Sequence, residues 1–191
     1  MERRGVDIAG MRGAVAYNMH EPSLLVYMLR DDDPEKCSAS KLIRFNMLKR
    51  VSRVPYRTIL LDPYSSIPLL RSDSVDDNLS LTIVDCSWVN ARSVFARLKV
   101  LKRRRLPLLL AANPINYAKI AKLSSVEALA AACYLLGYEH LAYRLLAKFK
   151  WGSTFITLNH ELFEEYKRAK SIDDIVRIEH EYSLTEALEL G

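Results

Sequence analysis

The fold is decided by a stretch that reads Leu81-Thr82-Ile83-Val84-Asp85-Cys86-Ser87-Trp88 at its start, Arg105-Leu106-Pro107-Leu108-Leu109-Leu110-Ala111-Ala112-Asn113-Pro114-Ile115-Asn116-Tyr117 in its middle and Lys122-Leu123-Ser124-Ser125-Val126-Glu127-Ala128-Leu129-Ala130 at its end. Two β-type apolar runs, 81–84 and 108–112, each stop at a polar or turn-forming residue. In open α/β sheets, ligands bind at the carboxyl ends of the strands. We therefore predict a nucleotide-sized site where these two runs end.

From residue 56 onward, strand and helix signals alternate. Strands are predicted over 57–61, 81–85 and 108–112, and their continuous apolar character indicates burial on both faces. Ser124 with Glu127 three residues later forms a capping-box pattern for a helix that Gly137 ends. Further helices are predicted over 139–150, 159–169 and 172–188. This order is typical of an α/β fold, a sheet covered by helices.

The first 55 residues follow a different pattern. A strand is predicted over 13–19, and an acidic turn over 30–34 follows it. A basic helix is predicted over 41–49, with Ser40 as its cap and Leu42, Phe45 and Leu48 on one face. Pro55 closes this unit, so we predict a small N-terminal α+β domain at 1–55 and a second domain at 56–191, for which the resemblance described below implies a cofactor-binding catalytic role.

Composition restricts the classes of function. The 191 residues contain 28 Lys and Arg against 23 Asp and Glu, and this basic balance favours an anionic partner. No apolar stretch is long enough to span a bilayer and no signal peptide is evident, which predicts a cytoplasmic protein with no membrane partner. Isolated histidines and three scattered cysteines predict no metal. The absence of glycine-rich phosphate loops and of a G-x-S-x-G elbow disfavours ATP, dinucleotides and hydrolase chemistry.

Asp85 is the strongest candidate catalytic residue, because it ends an apolar strand. The alternative is that it only caps the helix that follows. Trp88, three residues later, is either a wall of the ligand site or a core residue. Residues 106–112 carry no polar side chain, so a ligand there would bond to backbone groups, a mode that suits adenine. The following turn, from Asn113 to Tyr117, either folds over that ligand or simply connects two elements.

Two basic clusters are candidates for binding RNA phosphates. They comprise Lys41, Arg44, Lys49, Arg50, Arg53, Lys102, Arg103, Arg104 and Arg105. Such runs are more often only solvated faces. Tyr56, Tyr64 and Tyr117 are candidates for stacking on an unpaired base, or else are core residues.

Several of these blocks resemble the ribosomal small-subunit RNA aminocarboxypropyltransferases. The resemblance lies in the three segments quoted above, in Phe149-Lys150-Trp151-Gly152, in Leu158-Asn159-x-Glu161-Leu162, and in Asp33-Pro34-Glu35-Lys36-Cys37-Ser38 with Lys41-Leu42. It implies a SPOUT-like α/β fold with a C-terminal trefoil knot and helices on both faces of the sheet. It also implies an enzyme that moves the 3-amino-3-carboxypropyl (acp) group of S-adenosylmethionine to a uridine or pseudouridine derivative in small-subunit ribosomal RNA, releasing methylthioadenosine. The implied partner is that RNA or a pre-ribosomal particle, and the implied state is a monomer.

The resemblance also implies which residues form the site. Asp85 would be catalytic, as a base or by positioning the substrate, and Ser38 would hold the polar end of the transferred chain. Trp88 would shield the methyl group, and backbone groups near Leu108 and Leu109 would hold the adenine. The full set implied to bind S-adenosylmethionine is Ser38, Leu61, Pro63, Val84, Asp85, Trp88, Ala91, Leu108, Leu109, Asn113, Tyr117, Ser124, Ser125 and Leu129.

Two residues depart from the pattern of that family. Ala39 stands where glycine is usual, and Asp62 precedes Pro63 where a small neutral residue is commoner. Two other functions remain open at this point: an RNA methyltransferase on the same fold, and a non-catalytic RNA-binding assembly factor. The first would differ only in which carbon of the sulfonium faces the RNA.

Overall fold

The computed structural model describes residues 20–29, 37–74 and 78–189, which form one parallel sheet and a set of helices. The strands are β1 (Ser23–Met28), β2 (Lys49–Val51), β3 (Ile59–Leu61), β4 (Ser80–Asp85) and β5 (Lys102–Arg104). The helices are α1 (Ser38–Arg44), α2 (Trp88–Arg97), α3 (Ser125–Leu135), α4 (Glu139–Leu146), α5 (Gly152–Leu158), α6 (His160–Arg168), α7 (Ile172–Glu181) and α8 (Leu184–Glu189), with a 3₁₀ turn at Arg71–Ser74. Among these helices, none has both the length and the apolar character needed to cross a membrane.

The sheet has the strand order β2-β1-β4-β3-β5, and every neighbouring pair is parallel. Strands β1 and β4 pair along their whole length, from Ser23 opposite Ser80 to Met28 opposite Asp85. The predicted α/β class is confirmed. Strands from both predicted domains, 1–55 and 56–191, share this one sheet. The division at residue 55 and the trefoil knot remain predictions.

Side chains of successive strand residues point to opposite faces of the sheet, and each face packs against helices. Leu81 and Ile83 of β4 face the main core, which includes residues of α1 and α3. Leu60 of β3 faces a smaller core with Ala91 and Phe95 of α2. The prediction of helices on both faces is therefore confirmed. By the same alternation, Asp85 lies on the α1 and α3 side of the sheet.

The strands predicted over 57–61 and 81–85 are confirmed as β3 and β4. The prediction of a strand over 108–112 is wrong. The fifth strand is the basic segment Lys102–Arg104, and the later apolar run makes only an isolated antiparallel bridge between Leu110 and Ile120. Strand β1, over Ser23–Met28, was not predicted. The strand predicted over 13–19 and the turn predicted over 30–34 lie outside the described residues.

The basic run that forms β5 and continues to Arg105 is stabilised in the fold because carboxylates from distant parts of the chain pair with its arginines. Arg103 pairs with Asp62 at 2.6 Å, Arg104 with Asp73 at 2.9 Å and Arg105 with Glu179 at 2.7 Å. All three carboxylates are buried. Burying a charge is costly unless it is paired and hydrogen-bonded. This pairing explains Asp62, which departs from the family pattern: it is the partner of Arg103.

The first helix differs from the prediction over 41–49. Helix α1 spans Ser38–Arg44, and its cap is Cys37, whose Sγ accepts a hydrogen bond from the backbone N of Ser40. Ser40 is therefore not the cap. The helix ends because Asn46 adopts a left-handed conformation, with φ of 56°. Lys49 then begins β2 instead of continuing the helix.

Helix α3 confirms its predicted boundaries. Ser124 and Glu127 form the capping box, and Gly137 takes a positive φ of 94° just beyond the helix. The helix is buried on nearly all sides and packs against α4 and α1. Of the later helices, α4 and α6 match predicted segments. Helix α5 was missed, and the segment predicted over 172–188 is broken into α7 and α8.

Gly152, the first residue of α5, packs directly against the backbone of Leu146. A Cβ at this position would overlap the carbonyl oxygen of Leu146 and lie 2.6 Å from its carbonyl carbon. We expect Gly152→Ala to lower the free energy of unfolding by about 2 kcal/mol. Ser153→Ala, at the exposed neighbouring position, should change it by less than about 0.5 kcal/mol. Urea denaturation measures the free energy of unfolding of both variants. Equal values would show that the backbone accommodates the added methyl group without loss of stability.

Candidate active site

The candidate site lies where the chain leaves β1 and β4 in opposite directions. After β1 the chain passes to β2 at one edge of the sheet, whereas after β4 it passes to β5 at the other edge. The carboxyl ends of two such strands bound an open crevice, which is the usual ligand position in parallel α/β sheets. Asp85 is the last residue of β4 and lies opposite Met28, the last residue of β1.

The Asp85 carboxylate is held by one donor on each oxygen. The thiol of Cys37 donates to Oδ2 at 3.0 Å, and the hydroxyl of Ser125 donates to Oδ1 at 3.2 Å. Cys37 precedes α1 and Ser125 begins α3, so the N-terminal ends of two helices flank this half-buried side chain. A carboxylate has about four lone-pair positions. Each oxygen therefore keeps the capacity to accept a further hydrogen bond or a proton from a bound substrate.

Cys37 is a neutral donor in this arrangement. Its burial, and the hydrogen bond that it donates to Asp85, raise the pKa of the thiol above its usual value. A protonated thiol can cap α1 through sulfur and donate to Asp85 at the same time. Sequence reasoning missed this role, although Cys37 lies within the opening motif that carries the family resemblance.

Ser38 connects the two helices that flank Asp85. Its hydroxyl oxygen accepts a hydrogen bond from the backbone N of Val126 at 3.2 Å. The hydroxyl proton therefore points away from that bond and is available to another acceptor. Three predicted site residues, Ser38, Asp85 and Ser125, are thus brought together at the crevice.

The apolar segment that follows β5 is bound to the C-terminal helices by side chains instead of a neighbouring strand. The amide of Asn159 accepts from Leu110 N at 2.8 Å and donates to Leu110 O at 2.8 Å, so it takes the place of one residue of a strand. Glu179 accepts from Leu108 N at 3.0 Å, and the phenol of Tyr166 donates to Leu108 O at 3.0 Å. Burial and the nearby carboxylate of Glu179 raise the pKa of Tyr166, which keeps it a donor.

These contacts bear on the predicted adenine site. Both backbone polar groups of Leu108 have protein partners. The side chains of Asn159, Glu179 and Tyr166 do not accept a hydrogen bond from the backbone N–H of Leu109. The carbonyl oxygen of Leu109 accepts from Ala121 N at 3.0 Å. Leu109 N–H is consequently the better candidate for a backbone donor to a ligand.

Glu127 fastens this segment to α3 from a fully buried position. One of its oxygens accepts from the backbone N of Ala112 at 2.6 Å and of Asn113 at 2.9 Å. The other accepts from the side-chain amide of Asn113 and from both the backbone N and the hydroxyl of Ser124, each at 2.7 Å. The sequence predicted only the capping box. The structure shows that the same carboxylate also orients residues 112 and 113.

The remaining predicted cofactor contacts lie in different parts of the fold. Leu61 and Leu129 belong to the main core, whereas Val84 and Ala91 pack on the opposite face of the sheet. Pro63 and Tyr117 are exposed. The side chain of Asn113 is already bonded to Glu127, Lys122 O and Asn116 N, and Ser124 is bonded to Glu127. The side chain of Trp88 lies outside the described part of the chain, so its role remains a prediction.

The predicted RNA-binding cations divide into two groups. The first group is exposed at Arg44, Lys49, Arg50 and Arg53. Lys41, which precedes them in the chain, is half-buried. Arg103, Arg104 and Arg105 are not a solvated cation run, because each pairs with a buried carboxylate. Lys102 is half-buried at the start of the same strand. The contribution of residues 102–105 to RNA binding remains a prediction.

Within the described ranges, no group of three or more acidic, histidine or cysteine side chains is placed to hold a metal ion.

A parallel α/β sheet with a fixed carboxylate at its topological switch point defines a ligand-binding protein of the α/β class. Residues 59–183 match the family model described as "Ribosome biogenesis protein, C-terminal". Two 16S rRNA aminocarboxypropyltransferases are similar to this chain. That of Methanosarcina mazei is 41% identical over 83% of this chain and 94% of its own length. That of Thermoplasma volcanium is 46% identical over 81% of this chain and 94% of its own length. The chain therefore belongs to the family of 16S rRNA aminocarboxypropyltransferases.

A solved structure agrees with this assignment. The structure of the SAM-dependent rRNA:acp-transferase Tsr3 from Vulcanisaeta distributa is 36% identical and superimposes with a TM-score of 0.76, covering 88% of this chain and 95% of that one. The shared fold thus extends over most of both chains.

Proposed function

We propose that this chain transfers the acp group from S-adenosylmethionine to a uridine or pseudouridine derivative in small-subunit ribosomal RNA, with methylthioadenosine as the second product. The names of its relatives support the reaction class. The observation that carries the proposal is the Asp85 carboxylate at the carboxyl ends of β1 and β4, fixed between Cys37 and Ser125. The monomeric state and the cytoplasmic location remain predictions.

The polar groups of the crevice suit the amino-acid end of S-adenosylmethionine, which carries an ammonium and a carboxylate. The Ser38 hydroxyl has a free proton to donate to a carboxylate, and the Asp85 carboxylate can face the sulfonium charge. Leu109 N–H would donate to the adenine edge. Bound in this way, the donor presents its carboxypropyl chain on the side of the crevice that RNA must enter.

Orientation decides the product, because a sulfonium activates all three carbons bonded to it. An enzyme selects one carbon by holding it close to the nucleophile and in line with the breaking bond. Trp88 would shield the methyl group from the RNA. A methyltransferase would need the reverse arrangement, with the methyl group facing the RNA and the amino-acid chain enclosed.

The proposed role of Asp85 is to orient the target base and to balance positive charge near the sulfur. The attacking atom is a ring nitrogen of the base, which must lose a proton as the new N–C bond forms. Asp85 is the group that can accept this proton, either directly or through water. Cys37 and Ser125 would keep its oxygens in place while the proton moves.

Two labelled forms of S-adenosylmethionine test the reaction. One carries the label in the methyl group, and the other in the carboxypropyl carbons. Incubated with the protein and small-subunit RNA, only the carboxypropyl label should enter the RNA. Entry of the methyl label alone would show a methyltransferase. Retained RNA binding with neither label transferred would show a non-catalytic assembly factor.

A further inference from the structure

Cations and aromatic rings alternate on one face beside the crevice, and two distant parts of the chain build it. We call Lys41, Arg44, Phe45, Lys148 and Phe149 the aromatic–cation face. The first three come from α1 and its C-terminal cap, and the last two from the connection between α4 and α5. Lys41 Nζ lies 4.5 Å from the ring centroid of Phe149, and Lys148 Nζ lies 5.1 Å from that of Phe45.

This face is open to solvent. The ring of Phe45 is 48% exposed, and Arg44 and Lys148 are exposed as well. A cavity of about 470 Å³ adjoins it, lined in part by Phe45, Met47 and Lys148. Near it, Glu21 is already paired with Arg144 at 2.6 Å, so this acidic group does not offset the cations of the face.

The composition of this face distinguishes among partners. Grooves that bind single-stranded nucleic acid combine cations for the phosphates with aromatic rings on which bases stack. Paired bases are already stacked in a helix and offer no free ring face. The partner that fits is an unpaired stretch of RNA.

The position of the face relative to Asp85 strengthens this argument. Helix α1 starts beside Cys37, which bonds to Asp85, and Phe45 follows seven residues after Ser38. At about 1.5 Å per residue, this places Phe45 roughly 10 Å along the helix from the crevice. One continuous strand of RNA could therefore cover both sites.

We propose that the aromatic–cation face binds the unpaired RNA that flanks the target nucleotide, with a base stacked at Phe45 and a phosphate at Lys148. This inference rests on the proposed function for the identity of the RNA. Lys148 and Phe149 come from the other half of the chain. They thereby enlarge the RNA-binding surface that the sequence predicts on the basic helix.

Binding of RNA probes without S-adenosylmethionine tests the face independently of catalysis. Fluorescence anisotropy is measured with a short labelled oligouridylate and with a labelled RNA hairpin of similar length, whose bases are all paired except for a minimal closing loop. Phe45→Ala should weaken binding of the oligouridylate roughly fivefold or more, and of the hairpin much less. Lys148→Ala should also weaken it, and should reduce the slope of log K against log salt by about 0.7, since one phosphate contact is lost. Phe45→Ala should leave that slope unchanged.

Lys170→Ala, at an exposed lysine outside the face, is the matched control and should bind both probes as the unsubstituted protein does. Unchanged thermal unfolding shows that each variant is folded. Oligouridylate binding that survives both Phe45→Ala and Lys148→Ala would overturn the inference, and so would an equal loss for the hairpin. Absence of acp transfer by the unsubstituted protein, with these binding effects intact, would instead refute only the proposed function.

Discussion

Asp85→Ala should lower the rate of acp transfer by roughly a hundredfold or more, while the affinity for S-adenosylmethionine changes only a few-fold. Asp85 ends β4 with one protein donor on each oxygen, so its remaining lone pairs are available to the reactants in the proposed site. Its removal therefore takes away an interaction with the reacting groups more than one with the adenosine. Single-turnover transfer of the carboxypropyl label measures the rate, and calorimetry measures the affinity.

Asp85→Asn separates the two roles proposed for this carboxylate. The amide keeps the size of the side chain and one acceptor oxygen, but it carries no charge and is a poor proton acceptor. A rate as low as that of the alanine variant would indicate that charge or proton transfer matters. A rate near that of the unsubstituted protein would indicate positioning alone, and full turnover in Asp85→Ala would remove the assignment altogether.

Cys37→Ser provides the matched control for this site. Serine keeps a hydrogen-bond donor toward Asp85 Oδ2 and is a favoured helix cap, so transfer should stay within a few-fold of the unsubstituted rate. Ser125→Ala removes the donor to Oδ1 and should cost about tenfold, the size expected for one hydrogen bond to a charged group.

The parts of the fold that sequence predicted are those with a local cause. Strand β4 is a continuous apolar run, and α3 has its capping box and terminal glycine within its own segment. Strand β5 could not be predicted this way. Its two arginines depend on Asp62 and Asp73, which are 41 and 31 residues away in the chain, and the adjoining Arg105 depends on Glu179, 74 residues away. The apolar run 108–112 has the pattern of a strand, but the prediction of a strand there is wrong for the same reason. The side chains that bind its backbone come from distant parts of the chain.

The candidate site divides in a similar way. Asp85 was predicted because a polar residue at the end of an apolar strand lies at the sheet edge where ligands bind. Cys37 was not, because its contact with Asp85 depends on where α1 docks. Asn159 lies in a block that carried the family resemblance, yet only the structure shows its bond pair with Leu110. Sequence predicted the candidate carboxylate, and only tertiary packing shows the groups that hold it.

Glu127→Ala should lower the free energy of unfolding by about 3 to 5 kcal/mol, the largest stability effect that we expect for a single substitution. The buried carboxylate accepts from five donors, three of them backbone N–H groups of Ala112, Asn113 and Ser124. Without it, these donors remain buried with no acceptor, and α3 loses its capping box. Urea denaturation measures the loss.

Glu127→Gln sharpens this test, because it preserves the volume of the side chain. Its amide nitrogen would face N–H and O–H donors that it cannot satisfy, so most of the loss should persist. Glu165→Gln, at a partly exposed residue paired with Arg168, should change the free energy by less than about 0.5 kcal/mol. Since Glu127 also orients residues beside the proposed adenine site, both Glu127 variants should bind S-adenosylmethionine more weakly even when fully folded. Stable variants with unchanged affinity would show that the segment holds its shape without this carboxylate.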